Sequence, residues 1–133
     1  MNQIENLHMA IGQLAFAVAF ADGKVQKSER EKFHNIVTEE LSNQDYSFDV
    51  SDVVFQIMEK DKMDSNTVYD WAIKEIKTNG NYLSPELKQK FITVMERVAD
   101  AYAPVTVSEL SIIDRFKKDI DGIHGDPIYY NKK

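Results

Sequence analysis

The chain contains no cysteine among its 133 residues. A disulfide framework, a thiolate zinc site and a cysteine nucleophile are therefore excluded. Cationic residues are also outnumbered, because the sequence has 16 Lys and Arg but 22 Asp and Glu, which gives a formal charge of −6. Proteins that bind nucleic acid need clustered Lys and Arg against the phosphates, so this charge balance argues against nucleic acid as a partner.

Long apolar runs are missing as well. The run from Leu14 to Ala21 has eight residues, whereas a transmembrane helix needs roughly 20. The first residues, Met1 to Glu5, lack the basic region of a signal peptide. We therefore expect no transmembrane segment and a cytoplasmic location. An apolar content of 43% over 133 residues is typical of one domain with a buried core.

Apolar residues recur at steps of three and four along most of the chain, which is the period of an amphipathic α-helix. From Leu14 onward every face of the first helix is apolar, so we expect this half of it to be buried on all sides. We predict an all-α domain over residues 1–133 with about six helices. The stripes that we assign to the core of the later helices include Ile57, Met58, Val68, Trp71, Ala72, Ile76, Leu87, Phe91, Val94, Leu110, Ile113, Phe116 and Ile120.

The chain also repeats itself at an interval of 80 residues. Residues 7–41 align without a gap on residues 87–121, and the aligned positions share an apolar stripe and a Val-x-x-Ser-Glu sequence. This match predicts two related helical hairpins with a pseudo-twofold axis, separated by a middle helix pair at about 49–78. We expect residues 122–133 to form an irregular tail, which either packs back through its tyrosines or is loose.

An acidic turn, Asp22-Gly23, joins the two helices of the first hairpin. With Val25 and Glu29 it matches the second half of an EF-hand loop, but the positions two and four residues earlier are Phe20 and Val18. Calcium prefers six to eight oxygen ligands, and the missing carboxylates therefore argue against a complete EF-hand.

Two interpretations of this turn stay open. Asp22 and Glu29, joined by Asp100 or Glu109 of the second hairpin, could converge on a divalent cation. A site built from oxygen ligands alone would favour calcium, magnesium or manganese. Alternatively, Asp22 caps its own turn and Glu29 bonds to backbone amides at the start of its helix. Thr106 and Glu109 have the spacing of such a capping box in the second hairpin.

The stretch Ala19 to Glu29, an alanine-rich helix end followed by Asp-Gly-x-Val-x-x-x-Glu, resembles the motif of the tellurite resistance protein TerB and of TerB-like domains. The resemblance covers about residues 4–120. It implies an all-α fold of two related units and a role in stress response or in protein–protein and membrane-associated complexes. It also implies a metal site at the acidic motif residues, which are Asp22, Glu29 and, in the second copy, Glu109. That copy departs from the motif, because Tyr102-Ala103 replaces Asp-Gly.

No motif for a nucleophile or a phosphate-binding loop occurs in the sequence. We therefore predict a non-enzymatic interaction domain that binds other proteins and holds a divalent cation at Asp22 and Glu29. Two alternatives remain, a metal-dependent hydrolase that uses carboxylates of both hairpins and a purely structural homodimer. We assign Trp71 to the core, but an exposed Trp71 would indicate an interface.

Overall fold

The structure is a computed structural model that describes residues 3–21, 32, 34–36, 39–40, 49–101 and 106–130. These residues contain helices and no strand, which confirms the predicted all-α class. Residues 32, 34–36 and 39–40 are helical. The helices with complete bounds are α1 (Gln3–Ala19), α2 (Asp49–Lys60), α3 (Ser65–Thr78), α4 (Pro85–Ala101), α5 (Val107–Asp121) and α6 (Pro127–Tyr130), and a 3₁₀ turn (Gly80–Tyr82) lies between α3 and α4.

Helix α1 is the centre of the fold, because it packs against α2, α3, α4 and α5. Its residues 14–19 have at most 2% of their surface exposed, which confirms the predicted burial on all sides. Four of the residues between 15 and 21 are alanine. Their small side chains let neighbouring helices approach closely, so Phe16 and Val18 between them are enclosed completely.

Aromatic rings fix the helices that surround α1. The Phe16 ring stacks on the Phe20 ring with a centroid distance of 4.3 Å and meets the edge of the Phe55 ring on α2 at 6.1 Å. The rings of Phe91 on α4 and Phe116 on α5 lie 6.4 Å apart. All of these rings except that of Phe20 are fully buried.

Three residues that we assigned to apolar stripes are instead about half exposed. The exposed fractions are 46% for Ile57, 45% for Trp71 and 52% for Leu110. In each helix the apolar residue two positions away is buried, so these three core assignments are wrong. The buried residues are Phe55 on α2, Tyr69 on α3 and Ile112 on α5.

The reason is clearest at Tyr69, which is buried while Trp71 is not. The Tyr69 hydroxyl donates a hydrogen bond to Oδ2 of Asp119 at 2.5 Å, and the Arg115 guanidinium lies 4.3 Å from the centre of the Tyr69 ring. Burial and the hydrogen bond to Asp119 raise the pKa of Tyr69, so the hydroxyl stays a donor. A tyrosine ring can enter the core when its hydroxyl has a partner, and this partner comes from α5, 50 residues later.

The segment from Ile123 to Tyr129 folds back onto the 3₁₀ turn. The Asp126 amide donates to the Asn81 carbonyl at 2.9 Å, and the ring of Tyr129 meets that of Tyr82 at 5.2 Å. We predicted an irregular tail here, but Pro127–Tyr130 forms one helical turn, α6. Asp126 starts this turn, because its carboxylate accepts from the Ile128 amide at 3.0 Å and its carbonyl accepts from the Tyr129 amide at 2.8 Å.

Candidate functional site

The predicted acidic turn begins where α1 ends. The Phe20 amide donates to the Phe16 carbonyl at 2.9 Å, and the Ala21 amide donates to the Val18 carbonyl at 3.2 Å. Residue 21 is the last described residue before a gap that reaches to residue 32. Asp22 and Glu29 therefore lie outside the described residues, and their role as cation ligands stays a prediction.

Glu109, the candidate ligand of the second hairpin, is fully buried at the start of α5. Its Oε1 accepts hydrogen bonds from the Thr106 amide at 3.0 Å and from the Thr106 hydroxyl at 3.1 Å. The Glu109 amide in turn donates to the Thr106 hydroxyl at 3.1 Å. This reciprocal pair is the capping box predicted from the spacing of the two residues, and it gives one carboxylate oxygen of Glu109 a structural role.

Asp100, the other candidate ligand from this hairpin, is exposed in the last turn of α4. It lines a cleft of about 390 Å³ together with Lys32, Asn35, Ile36, Arg97 and Ala101. The Lys32 ammonium donates to the Ala101 carbonyl at 3.3 Å. The C-terminal end of a helix carries partial negative charge, so Lys32 offsets the charge of the α4 terminus and Asp100 adds to it.

Two cations of α4 contact Glu39 and Glu40, which follow the cleft residues Lys32, Asn35 and Ile36 in the chain. Arg97 forms ion pairs with Glu39 at 2.6 Å and with Glu40 at 3.5 Å, and Lys90 donates to the Glu40 carbonyl at 2.7 Å. The hydrogen bond to Glu39 raises the pKa of Arg97 further above its usual value. Sequence reasoning missed this cleft, because its lining comes from two parts of the chain that no local spacing connects.

Within the described part of the chain, no three His, Asp or Glu side chains lie together in a way that could hold a metal ion. Asp100 and Glu109 are therefore not members of such a group with other described residues. Of the three histidines, His8 is buried in α1, His34 is half-buried and His124 is exposed. A cation site that combines Asp100 or Glu109 with two more such side chains would thus need residues from outside the described ones, and Asp22 and Glu29 are those that the sequence predicts.

Comparison with protein families settles the relationship of the chain. The family model described as "Tellurite resistance protein TerB" matches residues 8–122. This chain belongs to the TerB family. The match includes the first predicted repeat except its residue 7, all of the second repeat and all of the middle helix pair. No curated protein and no solved structure gives a significant match.

Large apolar side chains are exposed on several helices of this TerB-family chain. Ile57, Trp71 and Leu110 are about half exposed, Val107 is 85% exposed and Ile128 is 73% exposed. Val107 and Leu110 line a groove of about 470 Å³ along α5. No helix among the described residues is long and apolar enough to cross a membrane.

Proposed function

We propose that this TerB-family domain is a non-enzymatic interaction module that binds other proteins. The observation that carries the proposal is the 45% exposure of Trp71. The core face of α3 is already filled by five other residues, so the fold does not need an indole at position 71. Tryptophan is enriched among the few residues that supply most of the binding energy of protein interfaces. The same proposal includes the cytoplasmic location and the stress-response role that the family resemblance implies.

Replacing Trp71 with serine tests this function. We expect at least one protein that immobilised wild-type domain captures from a lysate of the source cells to bind Trp71→Ser about tenfold less, because a central aromatic anchor is typically worth about 2 kcal/mol or more. Quantitative mass spectrometry measures the captured amounts. Lys74→Ser is the matched control, since Lys74 is also exposed on α3 but has no apolar surface of comparable size.

The thermal unfolding midpoint of both serine variants should stay close to that of the wild type, because both side chains are exposed. If Trp71→Ser and the wild type capture the same proteins in the same amounts, Trp71 is not part of a binding surface and the proposed function loses its support.

We also propose that Asp22 and Glu29 bind calcium, magnesium or manganese. Family membership and the oxygen ligands of the Asp-Gly-x-Val-x-x-x-Glu turn support this proposal. Asp100 is a further candidate, since its exposed carboxylate lies at the negative end of α4. Glu109 is the weaker one, since its Oε1 already holds the start of α5.

Titration calorimetry of the three cations into the wild type and into Asp22→Ala tests the cation site. We expect saturable binding of at least one cation to the wild type and at least a tenfold lower affinity in Asp22→Ala, because removing one carboxylate from a small oxygen site removes a large part of its charge. Asp64→Ala is the control, because Asp64 is an exposed helix cap far along the chain. Flat traces for wild type and variant alike would end the cation proposal and leave the interaction proposal intact.

A further inference from the structure

The groove along α5 combines apolar and charged side chains on one exposed helix face. Its lining residues follow one another on one face of the helix in the order Val107, Leu110, Ser111, Asp114, Arg115 and Lys118. All six are exposed, and the groove encloses about 470 Å³. One end of the groove is therefore apolar, the middle carries a hydroxyl and a carboxylate, and the other end is cationic.

Val107 and Leu110 contribute little to the core of the second hairpin. Val107 is 85% exposed and Leu110 is 52% exposed, so neither contributes a full side chain to the core. In the gapless alignment of residues 7–41 with 87–121, they correspond to Lys27 and Arg30. The first hairpin thus has cations at the positions where the second one presents apolar side chains to solvent. This difference makes the apolar end of the groove a candidate contact surface.

The charges at the far end of the groove are available to a partner. No ion pair or side-chain hydrogen bond joins Lys118 or Asp114 to another described residue, whereas Arg115 already pairs with Asp70 at 3.0 Å and Asp119 at 3.7 Å. A partner that covers the apolar end would therefore meet Lys118 as an unpaired cation about two to three helical turns further along α5.

A second copy of this chain is a poor occupant of the groove. A parallel pairing of two α5 helices would place Asp114 opposite Asp114 and Lys118 opposite Lys118. An antiparallel pairing would cover Val107 and Leu110 with the charged ends of Lys118 and Arg115. The formal charge of −6 on each copy also adds long-range repulsion between two copies.

We propose that the α5 groove binds an amphipathic α-helix of a partner protein, whose apolar side chains cover Val107 and Leu110 and whose carboxylate pairs with Lys118. The inference rests on the proposed interaction function and assigns it a surface and a class of ligand. An amphipathic helix can pack its apolar side chains on the apolar end of such a groove, and a carboxylate that pairs with Lys118 at the cationic end fixes its direction.

Two synthetic helical peptides of equal length test the inference. Both carry two leucines at one end, and at the other end one carries two glutamates and the other two lysines. Fluorescence anisotropy should show that the wild-type domain binds the glutamate peptide at least tenfold more tightly than the lysine peptide, with a smaller ratio at high salt. Lys118→Glu should reverse this preference, and Leu110→Gln should weaken binding of the glutamate peptide at least tenfold.

Lys117→Glu is the matched control for the charge reversal, because Lys117 is exposed on α5 but lies outside the groove and within 3.5 Å of Glu96. This variant should keep the preference for the glutamate peptide. Circular dichroism of all variants establishes that they fold, and a folded Lys118→Glu that still prefers glutamate would overturn the proposal.

Two further results would also overturn it. One is a dimer in light scattering that Leu110→Gln abolishes, which would assign the groove to a second copy. The other is sedimentation with anionic vesicles that Leu110→Gln abolishes, which would assign it to a lipid surface. Loss of captured proteins in Trp71→Ser with no dependence of peptide binding on Leu110 would keep the interaction function and remove only the α5 groove from it.

Discussion

Replacing Phe16 with alanine is expected to lower the free energy of unfolding by about 3–5 kcal/mol. The Phe16 side chain is fully buried in α1 and contacts the rings of Phe20 and Phe55. Its removal costs the transfer of the ring from water and also leaves a cavity between helices that cannot all move inward. For a domain of this size, we expect the thermal midpoint to fall by about 10–20 °C.

Chemical denaturation followed by circular dichroism measures the change. Phe16→Leu should lose much less, about 1–2 kcal/mol, because leucine fills most of the space and keeps it apolar. Ile57→Ala serves as the exposed control, since Ile57 is 46% exposed on α2, and we expect it to cost less than about 1 kcal/mol. A loss below about 1 kcal/mol for Phe16→Ala would contradict the central position of α1.

The second large effect is expected at the capping box of α5. Glu109→Ala should lower the free energy of unfolding by about 2–3 kcal/mol, and Thr106→Ala should lower it by about 1–2 kcal/mol. Glu109 is fully buried, so its loss leaves a buried cavity and deprives the Thr106 amide of its acceptor. Because the two side chains hold each other, the double variant should cost clearly less than the sum of the single variants.

The control for this pair is Glu86→Ala. Glu86 lies in the first turn of α4 but is exposed, so its removal should cost at most about 0.5 kcal/mol. Repeating the denaturation with a chelator separates the two roles of Glu109. A structural cap gives the same loss with and without chelator, whereas a loss that disappears with chelator would show that Glu109 contributes mainly as a metal ligand.

Much of the fold could be predicted from local patterns. The apolar residues on every face of α1 predict its burial, and the spacing of Thr106 and Glu109 predicts the cap of α5, because both features depend only on residues within a few turns. The errors at Trp71 and Leu110 have a different origin. Where two apolar residues stand two positions apart, periodicity does not decide which one faces the core, and at Tyr69 a carboxylate on α5 decides it.

The candidate site likewise has parts that the sequence predicts and parts that only the structure shows. Asp100 and Glu109 could be selected from the sequence as acidic residues, and Glu109 also as a cap, but only the structure shows that Asp100 is exposed and Glu109 is buried. The cleft beside Asp100 depends on Lys32, which is 68 residues away in the chain, and the α5 groove depends on which face of the helix is left uncovered. Asp22 and Glu29 remain sequence predictions.

The central position of α1 also bears on how the chain is synthesised. This helix leaves the ribosome before the other described helices, but α5, which covers part of it, starts only at Val107. At the usual rate of about 5–20 residues per second, the apolar surface of residues 14–19 stays uncovered by α5 for on the order of 5–20 s. We expect the nascent chain to be a client of ribosome-associated chaperones during that interval.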